Sequence, residues 1–130
     1  MEKQPSALSV VWDSLAPPTQ QALSFDRLVP DHTALLVIDL NRGFAEKGAL
    51  FSPLCRALLP GVAALLRRAK ETGVETLLFT DTHTPDSPEF VSYPPHCVKG
   101  TGEEEICPEL LSEKWGRVIP KASTNACLEP

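Results

Sequence analysis

The stretch Val74-Glu-Thr-Leu-Leu-Phe-Thr-Asp81 decides the fold of this chain. Its apolar residues are consecutive, which is typical of a strand buried on both faces, as in a parallel sheet. A second run of this kind, Thr33-Ala-Leu-Leu-Val-Ile-Asp39, also ends in an aspartate. Open α/β sheets bind their ligands at the carboxyl ends of the strands. We therefore expect both aspartates at the ligand-binding edge of one sheet.

The segments around these strands predict the rest of an α/β fold. A helix is expected from about Pro60 to a stop at Gly73, with an inward face formed by Val62, Leu65, Leu66 and Ala69. A second helix is expected over Glu103–Lys114, opened by three glutamates and packing Ile106, Leu110 and Leu111 inward. A third strand, Arg117–Pro120, leads to Lys121. This alternation of strands and helices is that of a parallel sheet.

Length and charge limit the class of protein. The chain of 130 residues predicts one domain over residues 31–130, preceded by an arm over residues 1–30 with Val10, Val11 and Trp12 packed on the body. Its net charge of −5 argues against a nucleic-acid partner. We find neither a signal peptide nor an apolar run of the roughly 20 residues that a membrane span needs. Four cysteines without a Cys-x-x-Cys pair favour free thiols, and a cytoplasmic protein is expected.

Four candidate metal ligands lie close together after the second strand. They are Asp81, His83, Glu89 and His96, and this mixture of imidazole and carboxylate suits Zn, Fe or Mn. The alternative is that Asp81 and His83 only satisfy turn hydrogen bonds. Asp86 is a turn former in this interpretation.

The strand ends bring a second kind of chemistry to the same edge. Asp39, Asp81 and Lys121 each follow a strand, and in a right-handed α/β sheet these ends converge. Alone, Asp39 is more often a cap or turn residue and Lys121 a solvated surface residue. Together, a carboxylate and an ammonium can position a thiol and move its proton. Cys97 is expected to be a buried thiol.

Three segments resemble the isochorismatase-like cysteine hydrolases, the superfamily that includes nicotinamidase. The resemblance covers roughly residues 28–130. Its opening segment runs from Leu35 through Asp39 to Phe44 and Gly48-Ala-Leu50. Its metal loop runs from Asp81-Thr-His83 through Glu89-Phe to Tyr93-Pro-Pro-His96-Cys-Val-Lys-Gly-Thr101, and its lysine segment is Pro120–Asn125. Isochorismatases themselves lack the metal ligands, so nicotinamidase-related members are nearer kin.

This resemblance implies a Rossmann-like three-layer α/β fold and a role for each candidate residue. Asp39 would be the catalytic acid/base, and Lys121 would orient and charge-stabilise the nucleophile. Asp81, His83, Glu89 and His96 would hold Zn, Fe or Mn. Phe44 and Tyr93, each more often a core residue, would flank an aromatic ring of the substrate. In the family a cysteine cleaves the C–N bond of a small amide to acid and ammonia through a thioester.

The sequence also departs from the family pattern. The nucleophilic cysteine is expected well beyond the lysine, at the start of a helix, whereas this chain reaches Pro130 soon after Lys121. Cys127 is in the wrong setting and is not assigned that role. The expected fold is therefore the family sheet truncated after about the third strand, and the 130-residue chain is expected to be inactive.

Two other functions stay open. One is a catalytically dead fragment that binds metal or interacts with a subunit, including a second copy of itself in a homo-oligomer. The other is hydrolysis by a metal-bound hydroxide without a thiol. That mechanism leaves Lys121 unexplained.

Overall fold

The protein, seen in a computed structural model that describes residues 24–111 and 116–126, has a parallel three-stranded sheet. The strands are β1 (Ala34–Ile38), β2 (Glu75–Asp81) and β3 (Arg117–Lys121), in the order β1-β2-β3. The helices are α1 (Arg42–Ala45), α2 (Pro53–Thr72) and α3 (Pro108–Leu111). Short 3₁₀ helices cover Phe25–Arg27, Pro30–His32 and Pro88–Val91. The predicted α/β class is confirmed.

The register of the sheet sets the geometry of its carboxyl edge. Leu36 is paired with Leu77, Phe79 with Ile119, and Asp81 with Lys121. The last main-chain bond between β1 and β2 runs from the Asp39 N–H to the Phe79 carbonyl. The three strand ends therefore meet at one edge, as the sequence predicts.

Helix α2 begins earlier than predicted. The expected start at Pro60 is wrong, because the Ser52 hydroxyl caps the helix by accepting from the Leu54 N–H, and Pro53 occupies the first turn. Pro60 lies inside the helix, and the burial of Leu59 holds the turns on its amino-terminal side against the core. The predicted stop is confirmed, since Gly73 adopts φ 74°.

The segment between β2 and β3 differs more from its prediction. Glu103–Glu105 do not open a helix, because their backbone and carboxylates are engaged elsewhere: Glu103 accepts from the Cys97 N–H, and Glu104 accepts from the Gly100 N–H. Helix α3 begins only at Pro108, and residues 112–115 lie outside the described part. Leu110 is buried as predicted, whereas Leu111 is exposed. A single helical turn, α1, follows Asp39.

The core lies on one face of the sheet. Its buried residues come from α1, α2, β2, α3 and the residue before α3, namely Ala45, Leu59, Leu66, Leu78, Cys107 and Leu110. Leu35 and Val37 of β1 pack against it. On the other face Leu36 and Ile38 are 49% and 55% exposed, so the prediction that β1 is buried on both faces is wrong within the described residues. Leu65 of α2, predicted to face inward, is also exposed.

Three predictions concern residues outside the described part. The packing of Val10, Val11 and Trp12, the end of the second helix at Lys114, and the surroundings of Cys127 all lie there. Within the described part, none of the helices combines the length and apolar character required to cross a membrane.

Candidate active site

Asp39 directly follows β1 in a conformation that turns the chain away from the sheet. Its φ of 57° lies in the left-handed region, which aspartate tolerates better than bulkier residues. The turn directs the carboxylate to the carboxyl edge, where Oδ1 lies 2.9 Å from Lys121 Nζ. Burial raises the pKa of Asp39 above its ordinary value, although Lys121 opposes this shift.

Lys121 is the cation at the centre of the site. It ends β3, is 4% exposed, and donates a hydrogen bond of 2.9 Å from Nζ to Asp81 Oδ1. Its burial alone would lower its pKa, but the carboxylates of Asp39 and Asp81 reverse this effect and raise the pKa. Lys121 is therefore held as an ammonium between two acids.

Asp81 and His83 share one side of the chain because they are two residues apart in an extended segment. His83 Nε2 lies 3.0 Å from Asp81 Oδ2, and His83 Nδ1 lies 3.1 Å from the Ser87 hydroxyl. The main chain of His83 is bonded to Cys97 and Lys99. These bonds fix the ring against the end of β2.

His96 reaches the same carboxylate from the far end of the loop. Its Nε2 lies 3.1 Å from Asp81 Oδ2, and its Nδ1 lies 2.8 Å from the Pro94 carbonyl. Because a carbonyl only accepts hydrogen bonds, Nδ1 donates to Pro94, and Nε2 is the ring nitrogen that faces the Asp81 carboxylate. A metal ion held at this point would contact both Nε2 and the carboxylate oxygen.

The chemistry of these donors fits a divalent metal ion. One ligand atom each from Asp81, His83 and His96 forms a buried group within 4.8 Å. In a histidine that ligates a metal, the ring nitrogen that does not bind the ion is usually held by a hydrogen bond. The fourth predicted ligand, Glu89, stands apart from this group, with Oε2 3.7 Å from His83 Nε2.

Aromatic rings enclose the histidines. Phe44 and Tyr93 have ring centroids 5.7 Å and 6.3 Å from that of His96. Phe90, which the sequence did not single out, lies 5.3 Å from His83 and 5.6 Å from His96. These tilted and edge-on contacts pack the imidazoles against aromatic rings.

A single cleft of about 170 Å³ collects most of the predicted site residues. Its lining includes Asp39, Phe44, Asp81, Glu89, Tyr93, His96 and Lys121. His83 is not part of this lining, although its Nε2 lies 3.0 Å from Asp81 Oδ2. Leu50 and Thr124 also line the cleft and were not assigned as site residues, although both lie in segments that carry the family resemblance. Asp86 is exposed in a turn, in agreement with its predicted part.

The described cysteines do not line this cleft. Cys97 and Cys107 are buried, and burial, with nearby carboxylates, raises the pKa of each thiol to about 12. The prediction that Cys97 is a buried thiol is confirmed. A protonated buried thiol is a poor nucleophile.

Known proteins resemble this chain in sequence and in structure. A profile of the isochorismatase domain matches residues 33–130. Nicotinamidase 1 of Arabidopsis thaliana is 33% identical over 87 residues, a match that covers 62% of this chain and 34% of the plant protein.

Two solved structures share the fold at 30% identity. A nicotinamidase from Bacillus subtilis has a TM-score of 0.64, covering 74% of this chain and 59% of that one. A pyrazinamidase of Pyrococcus horikoshii in complex with zinc has a TM-score of 0.60, covering 70% and 52%. The chain thus spans 34% to 59% of the length of these three relatives.

Proposed function

The chain belongs to the isochorismatase domain family, and we propose that it supplies the acid/base, lysine and metal-binding residues of a nicotinamidase-related cysteine hydrolase. The reaction is cleavage of the C–N bond of a small amide, aromatic amides included, to acid and ammonia. The observation that carries this proposal is the position of Lys121 Nζ, 2.9 Å from both Asp39 and Asp81 in the cleft that holds the candidate metal ligands.

Asp39 is the proposed general acid/base. Its Oδ1 is buried and, among the described residues, receives no well-directed hydrogen bond, although Lys121 lies beside it. The raised pKa of this carboxyl brings it closer to the range in which proton transfer is efficient. Asp39 takes the proton of the attacking thiol and returns it to the leaving nitrogen.

The attacking thiol is proposed to lie outside the described residues, since Cys55, Cys97 and Cys107 do not line the cleft. Its sulfur bonds to the amide carbon, ammonia leaves, and water then cleaves the thioester to release the acid. Lys121 stabilises the thiolate by charge. Phe44 and Tyr93 contact the substrate ring.

A divalent ion, Zn, Fe or Mn, is the proposed cofactor. Asp81, His83 and His96 would hold it, with Glu89 as a further ligand. When bound, such an ion supplies a Lewis acid that orients and polarises a ligand. The zinc in the Pyrococcus horikoshii pyrazinamidase supports this assignment.

The test is ammonia release from nicotinamide and from a panel of other small amides, with protein purified from its native source and its intact mass measured. Asp39→Asn and Lys121→Met should each lower the rate by about 10²-fold or more. The exposed residues Asp31 and Lys70 provide the matched controls Asp31→Asn and Lys70→Met, which should leave the rate unchanged. Absence of ammonia from every amide would overturn the proposal.

A second candidate function is a catalytically dead fragment that binds metal and associates with a second copy. It is favoured by apolar residues exposed along β1 and α2, namely Leu36, Ile38, Leu58 and Leu65. This function predicts a stable oligomer that binds Zn²⁺ without releasing ammonia.

A hydroxide mechanism without a thiol instead predicts activity that survives thiol alkylation.

A further inference from the structure

Asn41 is fully buried beside the candidate site, and its side chain bonds only to main-chain atoms. Its Nδ2 donates to the Asp81 carbonyl at 2.9 Å and to the Glu104 carbonyl at 2.7 Å. Its Oδ1 accepts from the Asp81 N–H at 3.1 Å. Both amide protons and the acceptor are therefore in use.

These bonds take the place of the hydrogen bonds that a longer β1 would make with Asp81 of β2. The β1–β2 ladder ends at the bond from the Asp39 N–H to the Phe79 carbonyl, and the positive φ of Asp39 then turns β1 away. In a parallel ladder Asp81 directs its N–H and carbonyl to the same side as Phe79, toward β1. The side-chain amide of Asn41 occupies the place of the absent strand and pairs with both groups.

The pairing matters because the two oxygens of the Asp81 carboxylate have different partners. Oδ1 accepts from Lys121 at 2.9 Å, and Oδ2 faces the Nε2 atoms of His83 and His96. Any shift of the Asp81 main chain moves both oxygens at once. The bond to Glu104 also ties the segment that follows His96 to the same point.

We propose that Asn41 is a positioning residue, which sets the place of the Asp81 carboxylate between Lys121 and the two histidines by pairing with the Asp81 main chain. The inference rests on the proposed function in one respect: an effect of Asn41 on catalysis requires that function. It assigns Asn41 no contact with substrate or metal. Its effect passes through Asp81 alone.

The test compares Asn41→Ala with Thr76→Val, a matched control on β2, the strand that carries Asp81. Thr76 is 4% exposed, and its hydroxyl accepts from the Gly116 N–H at 2.8 Å, at the end of β2 away from the site. Both variants lose a buried side chain to main chain bond, and urea unfolding measures the cost of each. Zn²⁺ binding should weaken about 10- to 100-fold in Asn41→Ala and stay unchanged in Thr76→Val. If the wild-type protein binds Zn²⁺, equal affinity in the two variants overturns the proposal.

A second measurement separates this inference from the proposed function. In the metal-free protein, ¹⁵N resonances of the His83 and His96 rings and hydrogen exchange of the Asp81 amide report the local geometry. Both should change in Asn41→Ala and not in Thr76→Val, even if the wild-type protein neither binds Zn²⁺ nor releases ammonia. If the ring resonances and the hydrogen exchange of the Asp81 amide are unchanged in Asn41→Ala, the inference is wrong and the proposed function is unaffected.

The conservative variant Asn41→Gln retains the amide group and should recover part of the lost Zn²⁺ affinity. If Asn41→Ala does not fold, Asn41→Ser takes its place, because a hydroxyl can serve only part of the three bonds. The same expected and overturning results then apply. A purely structural role predicts that Zn²⁺ affinity follows stability in all variants, Thr76→Val included.

Discussion

Asp81 joins the two halves of the candidate site. One carboxylate oxygen accepts from Lys121, and the other faces His83 and His96. The proposed metal site and the charge of the lysine are therefore linked through one side chain. Neither half can be altered at Asp81 without changing the other.

Asp81→Asn should weaken Zn²⁺ binding by at least about 10-fold and lower ammonia release together with it, because the amide has no charge and its nitrogen cannot act as a ligand. Isothermal titration with Zn²⁺ measures the first effect. Asp31→Asn, at an exposed position, is the control. Retained affinity in Asp81→Asn would remove Asp81 from the set of metal ligands.

The thiols of Cys97 and Cys107 should resist alkylation in the folded protein. Both are buried, and the raised pKa of about 12 keeps each protonated at pH 8. Cys55 is partly exposed and should react before Cys97 and Cys107. Peptide mass spectrometry after iodoacetamide treatment, with and without urea, checks this order. Labelling of Cys107 as fast as Cys55 without urea would contradict it.

Helix α2 and the turn α1 use glycine in opposite ways. Gly61 lies in the interior of α2, and a Cβ built there meets no atom within 4 Å. Gly43 lies in α1, where a Cβ would stand 2.7 Å from Cys97 Sγ and 3.2 Å from Glu103 Cβ. The first glycine only weakens its helix, whereas the second allows α1 to approach the segment after His96.

Gly61→Ala should therefore raise the free energy of unfolding by up to about 1 kcal/mol. Gly43→Ala should lower it by about 1–3 kcal/mol, because Cys97 and Glu103 must move. Urea unfolding of the two variants measures both values. A gain in stability for Gly43→Ala would show that this close approach is absent.

The stability of the whole molecule should fall at alkaline pH. In the unfolded chain a cysteine thiol titrates near pH 8.5, whereas in the fold the pKa of Cys97 and Cys107 is about 12. Above about pH 8.5 the unfolded state therefore loses protons that the folded state keeps. The stabilisation is fully present below that pH and is lost as the pH rises toward about 12.

Urea unfolding at pH 7.5 and pH 10 measures this loss, and Cys107→Ala separates it from other titrations. The variant should lose less stability between the two pH values than the wild-type protein. Equal losses would show that the Cys107 thiol does not contribute to the pH dependence.

Zn²⁺ should stabilise the folded molecule, because the ligands come from β2 and from the far end of its loop and are assembled only on folding. A free concentration of 100 times the dissociation constant adds about 2.7 kcal/mol to the free energy of unfolding. Thermal unfolding with Zn²⁺ or with EDTA measures the shift. His96→Ala should abolish it, and an equal shift in that variant would place the ion elsewhere.

The sequence alone predicted the three strands, the parallel sheet, the family, and the edge at which Asp39, Asp81 and Lys121 meet. The strands, the sheet and the edge follow from patterns among near neighbours and from the handedness of strand connections. The family followed instead from the resemblance of three segments to the isochorismatase-like hydrolases.

Tertiary contacts decided the rest. The carboxylates of Glu103 and Glu104 accept hydrogen bonds from the N–H groups of Cys97 and Gly100. These residues therefore do not open a helix, and the expected helix starts only at Pro108. Asn41 pairs with residues 40 and 63 positions away in the chain. A bond from a side chain to a distant main chain leaves no periodic trace in the sequence, because it depends on where the turn at Asp39 directs the chain. For this reason the sequence pointed to Asp81, and only the fold revealed Asn41, the residue that holds it.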